Sequence, residues 1–517
     1  MAANSFAFVD NFAIDGRSRR EIRSHVMRGK NTTKARASKR RVSAAILVPS
    51  TEIPEAKVTG SRKLEDDGAT EKRPLELILH NTKGSLTPTA LMPRPYRRLQ
   101  DTFSGVSFPV AVDDDAQLLI KQFYMSYGRY IYPAEFCHQQ DVIDSPWFSF
   151  VLVDEAYCHG TLAISIACHD LARGRKKLSS EYKMYLAKCL SLLNQKLSGE
   201  GAGDTSTIAL VTGLCVLSLT LGDLSLLKIH VGGLRNVIQH RGGIKSLAAE
   251  NALVMEKAAR ADIEDALSTG CPAVFSREIA NDERIQPMPS FPVAAFPSLH
   301  SLRARHAGLA HAAQEVHTLT QYLSMVAEEG EKLRPWIFAS HVTYAFSKVL
   351  ALGAIGTSDL SDPVADIVHL ALAAILSVLT VQIGIPNDKR YDVLLRRFVR
   401  AVDHFMAAGH SLHTLIDPLL MNWILHVLPA TILQETAEHE WLRPKMVLVR
   451  DLLGLGTWQE AHAAAQAYPW ITGGSFHDKH IRRFWSAERR GVSVSEVSPS
   501  SSETPSPRYY ALTWSRS

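Results

Sequence analysis

The stretch from Asp223 to Leu247 constrains the fold most strongly, because it specifies one complete helix together with both of its ends. Apolar side chains recur there at steps of three and four residues, which places them on one face of an α-helix. They are Leu227, Val231, Leu234 and Ile238. Asp223 can cap the helix start through its carboxylate, and Gly242 lies where a left-handed residue ends a helix. The spacing predicts an amphipathic helix against a core.

A second helix is predicted just before it. Residues Ile208 to Leu221 are apolar on every face, as expected of a helix that is buried on all sides. Gly222 and Asp223 then provide the turn of a helical hairpin.

Two glycines and two cations inside the hairpin lead to further expectations. Gly232 and Gly233 lie mid-helix, where each costs about 1 kcal/mol relative to alanine. We expect the close approach of a second helix to be the reason. Lys228 and Arg235 fall away from the apolar face, so both are predicted to face outward.

A set of residues in and after the hairpin forms a pattern that helical periodicity alone does not explain. It comprises Lys228, His230, Gly233, Leu234, Ile238, Arg241, Gly242, Gly243, Leu247, Lys257, Arg260, Asp262, Pro272 and Phe275. This pattern resembles the central signature of the fungal-specific transcription factor domain, and a looser resemblance runs from about Asp114 to Trp485. Proteins of that family are all-helical regulators of transcription, most of which carry an N-terminal binuclear zinc cluster of six cysteines. The resemblance implies a structural role for the signature and a non-catalytic nuclear regulator.

The cysteines do not form such a cluster. The first is Cys137, and no two cysteines of the printed sequence are separated by two residues. This departure puts the family's usual mode of DNA recognition in doubt. Cys158-His159 and Cys168-His169 would lie about 15 Å apart on one helix, too far apart to share an ion. We interpret them as core residues and expect no metal and no cofactor.

Other catalytic motifs do not fit the sequence either. Asp113, Asp114 and Asp115 are the one candidate for a magnesium-diphosphate site, but Ala and Gln follow and no second acidic motif is present. We interpret these acids as the first turn of a helix. Gly242-Gly243 follows a helix instead of preceding one, so it is not an anion cradle. His230 is interpreted as a core histidine bonded to a neighbouring helix. We therefore predict no catalytic residues and no enzyme.

The positive charge is concentrated near the N-terminus. The net charge is +5, yet Arg17 to Arg41 alone contain eleven Lys or Arg residues and one acid. Three interpretations remain open for this segment: a nuclear import signal centred on Lys39-Arg40-Arg41, an arm that contacts DNA phosphates, or a solvated tail. The candidate residues for import or phosphate contact are Arg17, Arg19, Arg20, Arg23, Arg28, Lys39, Arg40 and Arg41.

The chain is expected to comprise three parts. Residues 1–105 form a basic, mostly disordered region, 106–485 a helical domain with halves at about 106–275 and 301–485, and 486–517 a disordered Ser/Pro-rich tail. In the second half, helical spacing predicts segments that include Leu302–Ala327 and Met446–Ala467. Ile367–Ile385 is nearly long enough to span a bilayer, but its polar interruptions favour a buried core helix.

Together these observations predict an all-α protein, a large irregular bundle of helical hairpins between disordered tails. The leading functional hypothesis is a nuclear transcriptional regulator with a helical regulatory domain and a basic arm. The alternative is a helical adaptor that does not bind DNA directly. Expected partners are DNA through the arm, other transcription regulators and a second copy of the chain, and no membrane.

Overall fold

A computed structural model of the protein describes residues 103, 105–139, 142, 145–175, 177–282, 293–357, 360–380, 391–407, 416–433, 436–472, 477 and 481. Within these ranges the protein has seventeen α-helices, one short 3₁₀ helix and no strand. The predicted all-α class is confirmed. Both predicted tails lie almost entirely outside the described residues, and the predicted domain boundaries stay a prediction.

The first nine helices cover the described residues up to 282. They are α1 (Asp114–Ile131), α2 (Pro146–Val153), α3 (Glu155–Ala172), α4 (Ser180–Ser198), α5 (Thr205–Leu221), α6 (Leu224–His240), α7 (Ile244–Glu250), α8 (Ala252–Thr269) and α9 (Ser276–Ala280). The 3₁₀ helix, Glu200–Gly203, lies between α4 and α5.

Eight helices follow. They are α10 (Leu299–Arg305), α11 (Ala307–Glu329), α12 (Pro335–Leu350), α13 (Pro363–Ser377), α14 (Asp392–Ala407), α15 (Pro418–Thr431), α16 (Thr436–Leu452) and α17 (Trp458–Ala465).

The predicted hairpin is formed by α5 and α6. Its turn is Gly222, whose φ of 71° is left-handed, and Asp223, whose carboxylate accepts a hydrogen bond from Leu226 N at 2.9 Å. Gly242 and Gly243, with φ of 107° and 92°, end α6 as predicted. The four side chains of the predicted apolar face are all fully buried. The short-range pattern was therefore sufficient to specify this unit.

The apolar side chains form two clusters, and α8 contributes to both. Helices α1 to α7 and α9 pack with the first part of α8, through Val254, Met255 and Ala258 among others. Helices α10 to α17 pack with its last part, through Ile263, Ala266 and Leu267. Since fourteen of the eighteen residues of α8 are buried, this helix is shared between two cores.

Three expectations of detail are wrong. Gly232 shows no close approach, because a Cβ added there would meet no atom within 4 Å. Met446–Ala467 is not one helix: Gly454, with φ of 67°, follows the end of α16, and a capping box of Thr457 and Glu460 begins α17. Leu302–Ala327 is likewise divided, because His306 caps the start of α11 through its ring.

Close backbone approach occurs instead at the end of α8. Gly270, with φ of 73°, ends this helix, and its carbonyl accepts a hydrogen bond from Gly356 N at 2.9 Å. A Cβ at Gly270 would lie 2.8 Å from Val393 Cγ1 and 2.9 Å from Gly356 Cα. Glycine is required here both for the conformation and for the space.

Apolar helices of the described residues were compared with what a bilayer requires. Taken singly, none of them is both long and apolar enough to cross one. Helices α2 and α3 reach that size only as a pair, and the pair is bent by 118°. The candidate at Ile367–Ile385 lies largely in α13, whose residues are buried against other helices.

We predict that Gly270→Ala lowers the free energy of unfolding by about 2–4 kcal/mol, because it combines left-handed strain with a clash. Gly454→Ala is the matched control, since Gly454 is also left-handed but has open space around it. The control should lose only about 1 kcal/mol. Urea unfolding of both variants measures the difference, and equal losses would contradict the close packing at Gly270.

Candidate functional site

Helix α8 carries an unusual set of buried charges. It starts at Asn251, whose side chain accepts a hydrogen bond from Val254 N, and it ends at Gly270. Five charged side chains along it are each less than 8% exposed: Glu256, Arg260, Asp262, Glu264 and Asp265. Burying an unpaired charge costs on the order of several kcal/mol per ion. The partners of these groups therefore decide whether the helix is stable in place.

Arg235 of α6 is the partner of two of the carboxylates. Its Nε donates to Asp262 Oδ1 at 2.6 Å, and its Nη2 lies 2.9 Å from Asp265 Oδ2. The second oxygen of Asp262 accepts from Phe275 N at 3.0 Å. Burial raises the pKa of the Asp262 carboxyl, and the guanidinium and this amide act against that rise. We call Arg235, Asp262 and Asp265 the ion cluster.

The outward orientation predicted for Arg235 is wrong. Its side chain is 21% exposed and reaches from α6 to α8. Spacing within one helix identifies the face opposite the core, but it does not show whether a later helix covers that face. The prediction is correct for Lys228, which is exposed on the same helix.

The other two acids of α8 connect it with the C-terminal helices. Glu256 Oε1 accepts from Thr343 Oγ1 of α12 at 3.1 Å and lies 3.7 Å from Arg260 Nε. Glu264 Oε2 accepts from the Tyr391 hydroxyl at 2.8 Å, just before α14. Polar contacts of α8 thus reach helices of both hydrophobic clusters.

The remaining signature residues lie in the hairpin and at its end. His230 is buried, and its Nδ1 lies 3.0 Å from Ser218 Oγ and 3.2 Å from Leu214 O, both on α5. Burial lowers its pKa to about 4. Arg241 hydrogen-bonds Gly203 O and pairs with Glu250. Gly233 and Leu234 lie within α6, and Leu234 is fully buried. The signature residues therefore make contacts at three separate places: His230 inside the hairpin, Arg241 at its end and Asp262 in the ion cluster. They are not gathered at one centre.

A cavity of about 100 Å³ lies among α1, α3 and α5. Phe123, Ile131, Ile164 and Leu210 are among its apolar lining residues. Gly128, Gly160 and Gly213 also line it, one from each of the three helices. This space is large enough for a small organic group.

Polar groups line the same cavity. The hydroxyls of Tyr124 and Tyr157 interact with each other, and Tyr124 also interacts with Thr161. Burial raises the pKa of both phenols, so they remain protonated donors. Lys257 of α8 lies at the wall, with Nζ 3.8 Å from the centre of the Trp147 ring.

The Lys257 side chain is only partly buried, because it lines the cavity. Protein atoms nevertheless surround it densely. This desolvation lowers the pKa of the Lys257 ammonium to about 7, Arg260 lowers it further, and Glu256 opposes the change.

Across the described ranges no group of three or more His, Cys, Asp or Glu side chains is arranged to hold an ion. Cys158 and Cys168 are both buried on α3, and burial raises the pKa of each thiol to about 12. Both cysteines therefore pack as small side chains in the core.

Sequence reasoning missed most of this site. Asp265 and Trp147 were not selected, and Lys257 was noted only as part of the signature. Trp147 lies in α2, a helix whose apolar run has no periodic pattern to single out one face. The charges of α8 gave one usable signal, since six charged residues within ten residues of an otherwise apolar helix require partners. The eight candidate residues from Arg17 to Arg41 lie outside the described residues.

The fold and these contacts define a helical domain whose signature residues serve its packing. A comparison with family models assigns it: residues 123–290 match the fungal specific transcription factor domain. This part of the chain is similar to that family, which associates the protein with transcription regulation and, in general, with the nucleus. Searches of curated proteins and of solved structures found no match. The matched segment contains the ion cluster and nearly all of the residues named above that line the cavity.

We predict that Arg235→Met lowers the free energy of unfolding by about 3–5 kcal/mol, because two buried carboxylates lose their cation. Arg303→Met is the matched control, because Arg303 is exposed on α10 and removing it leaves no buried charge unpaired. That control should change stability by less than about 0.5 kcal/mol. Denaturant titration compares them, and a loss below about 1 kcal/mol for Arg235→Met would contradict a paired, buried cluster.

Proposed function

We propose that the protein is a nuclear regulator of transcription that acts without catalysis, through the packed helices of its body. The observation that carries this proposal is the family match over residues 123–290. The chemistry of α8 supports it, because Glu256, Asp262, Glu264 and Asp265 all have protein partners. Buried polar groups that are paired in this way help to fix how a core packs.

The basic arm contributes import and DNA contact in this proposal. Eleven cations between Arg17 and Arg41 give a charge density that suits both receptor recognition and phosphate binding. Lys39, Arg40 and Arg41 would form the centre of the import signal. Nothing in the arm specifies a base sequence, so its DNA contacts would be to phosphates.

A second candidate function is a helical adaptor that acts through other transcription regulators and does not contact DNA. The cysteine spacing favours it, since the printed sequence contains no pair of cysteines two residues apart and so no zinc module. A homodimer, in which a second copy is the partner, is compatible with both functions.

A tethering experiment tests the regulatory role. The full chain is fused to a known DNA-binding module and placed upstream of a reporter gene. We expect reporter output to rise or fall relative to the module alone, because the body supplies the regulatory contacts. The fusion that carries Arg235→Met should lose this effect through destabilisation, whereas Arg303→Met should keep it. Output equal to that of the module alone would count against a regulatory body.

A charge-exchange experiment tests the arm. Replacing Lys39, Arg40 and Arg41 by Gln should lower the nuclear fraction of a fluorescent fusion. The control removes the same charge from exposed positions of the body, at Lys188, Lys228 and Lys245. It should leave localisation unchanged. Equal effects of the two triple variants would refute an import signal at this site.

The same pair of variants separates the two candidate functions. If the arm binds DNA, the affinity of the full chain falls with salt at a log–log slope of about −0.9 per phosphate contact, and the arm variant lowers this slope. Fluorescence anisotropy on a duplex at several salt concentrations measures it. Binding that is absent, or unchanged in the arm variant, would favour the adaptor.

A further inference from the structure

The cavity among α1, α3 and α5 has no role in the function proposed above. Protein interiors are close packed, and voids larger than a water molecule are few. This one measures about 100 Å³, and glycines from all three helices line it. A Cβ at Gly160 would lie 2.7 Å from Leu210 Cδ1, so packing against α5 accounts for that glycine. At Gly128 a Cβ would meet no atom within 4 Å, so packing alone does not require a glycine there. Each helical glycine costs about 0.5–1 kcal/mol relative to alanine, which an empty space does not repay.

One cation at this cavity forms no salt bridge with a carboxylate of the described residues. Lys257 Nζ contacts the face of Trp147, and among the described residues no carboxylate oxygen lies within 4.0 Å of it. The adjacent acid, Glu256, is engaged by Thr343 and lies 3.7 Å from Arg260. Two cations thus share one carboxylate, which leaves one positive charge in excess beside an apolar space.

The chemistry of the walls identifies what would fit. An ammonium is a compact point charge that suits a single carboxylate, whereas phosphate recognition favours several donors or a bidentate guanidinium. The hydroxyls of Tyr124, Tyr157 and Thr161 supply further donors. A cavity of about 150 Å³ with apolar walls holds benzene, so this space suits an apolar group no larger than one ring.

We propose that this cavity binds a small organic monocarboxylate, with its carboxylate on the Lys257 ammonium and its apolar body between α1, α3 and α5. Binding places the anion beside α8, the helix shared by both hydrophobic clusters. The inference is independent of the proposed function, because it rests on the cavity and on the Lys257 ammonium at its wall.

Proton linkage gives the site a characteristic signature. The pKa of Lys257 is about 7 in the unliganded protein, and a bound carboxylate raises it again. At a pH below this pKa, Lys257 already carries its proton. At a higher pH the lysine is neutral and must take up a proton when the carboxylate binds, so the affinity falls as pH rises. The other titratable groups around Lys257 and the cavity are Glu256, Arg260, Tyr124, Tyr132, Tyr157 and His138.

The test uses the purified full chain and four probes: benzoate, phenylacetate, 3-methylbutanoate and hexanoate. Thermal unfolding and titration calorimetry are measured with each, and benzyl alcohol and inorganic phosphate are the neutral and polyanionic comparisons. We expect at least one monocarboxylate to raise Tm saturably, and to do so more strongly than either comparison. Its Kd should weaken by about tenfold or more in Lys257→Met, which removes the charge at nearly constant volume.

Two further variants separate binding from folding. Gly128→Leu fills the cavity from α1 and improves helix propensity, so it should fold well yet lose the probe. Lys188→Met removes an exposed lysine whose Nζ lies 6.0 Å from the centre of the Tyr185 ring, and it should bind like the wild type.

The proposal is overturned if none of the four probes gives a saturable shift. It is also overturned if Lys257→Met and Gly128→Leu retain the wild-type Kd. A Kd that is the same at about pH 6 and about pH 8.5 would exclude Lys257 as the partner of the carboxylate. None of these outcomes depends on the reporter or DNA measurements, so failure here leaves the proposed function standing, and the reverse holds too.

Discussion

The pairing of Arg235 with Asp262 and Asp265 is the interaction on which the arrangement of helices depends. It joins the hairpin of α5 and α6 to α8 through two buried carboxylates and a guanidinium that is 21% exposed. Such pairs add little net stability compared with apolar packing, but removing one partner is costly because the other charge remains buried. The cluster therefore fixes which face of α6 meets α8.

Helix α8 connects the ion cluster with the helices of both hydrophobic clusters. Its first turns pack with the N-terminal helices, its last turns pack with the C-terminal ones, and its acids have partners on both sides. Its end is fixed by the glycine contact with Gly356, where no larger side chain fits. Lys257 links the same helix to the cavity, so an occupant there would lie beside the element that both cores share. This placement suits a regulatory domain whose body responds to a bound molecule.

Much of this fold could be predicted from the sequence. Local rules specified the helix ends at Asp223 and Gly242, because capping depends on neighbouring residues alone. They failed for Arg235, whose surroundings come from a helix that follows α6 in sequence. They also failed at Gly232, where the cost of a mid-helix glycine was attributed to packing that is absent.

The site was harder to predict than the fold for the same reason. A cavity is defined by what three helices leave unfilled, and no single stretch of sequence records that space. The partners of α8 lie up to 127 residues away along the chain, at Tyr391. The family resemblance identified a set of residues but not what they contact.

Native-state hydrogen exchange of α8 tests most directly whether this helix joins both cores into one cooperative body. The account predicts that the amides from Glu256 to Leu267 share one protection free energy, equal to that of global unfolding, because neither end of the helix can open alone. Two separate values, one for the residues before Arg260 and another for those after Asp262, would contradict it.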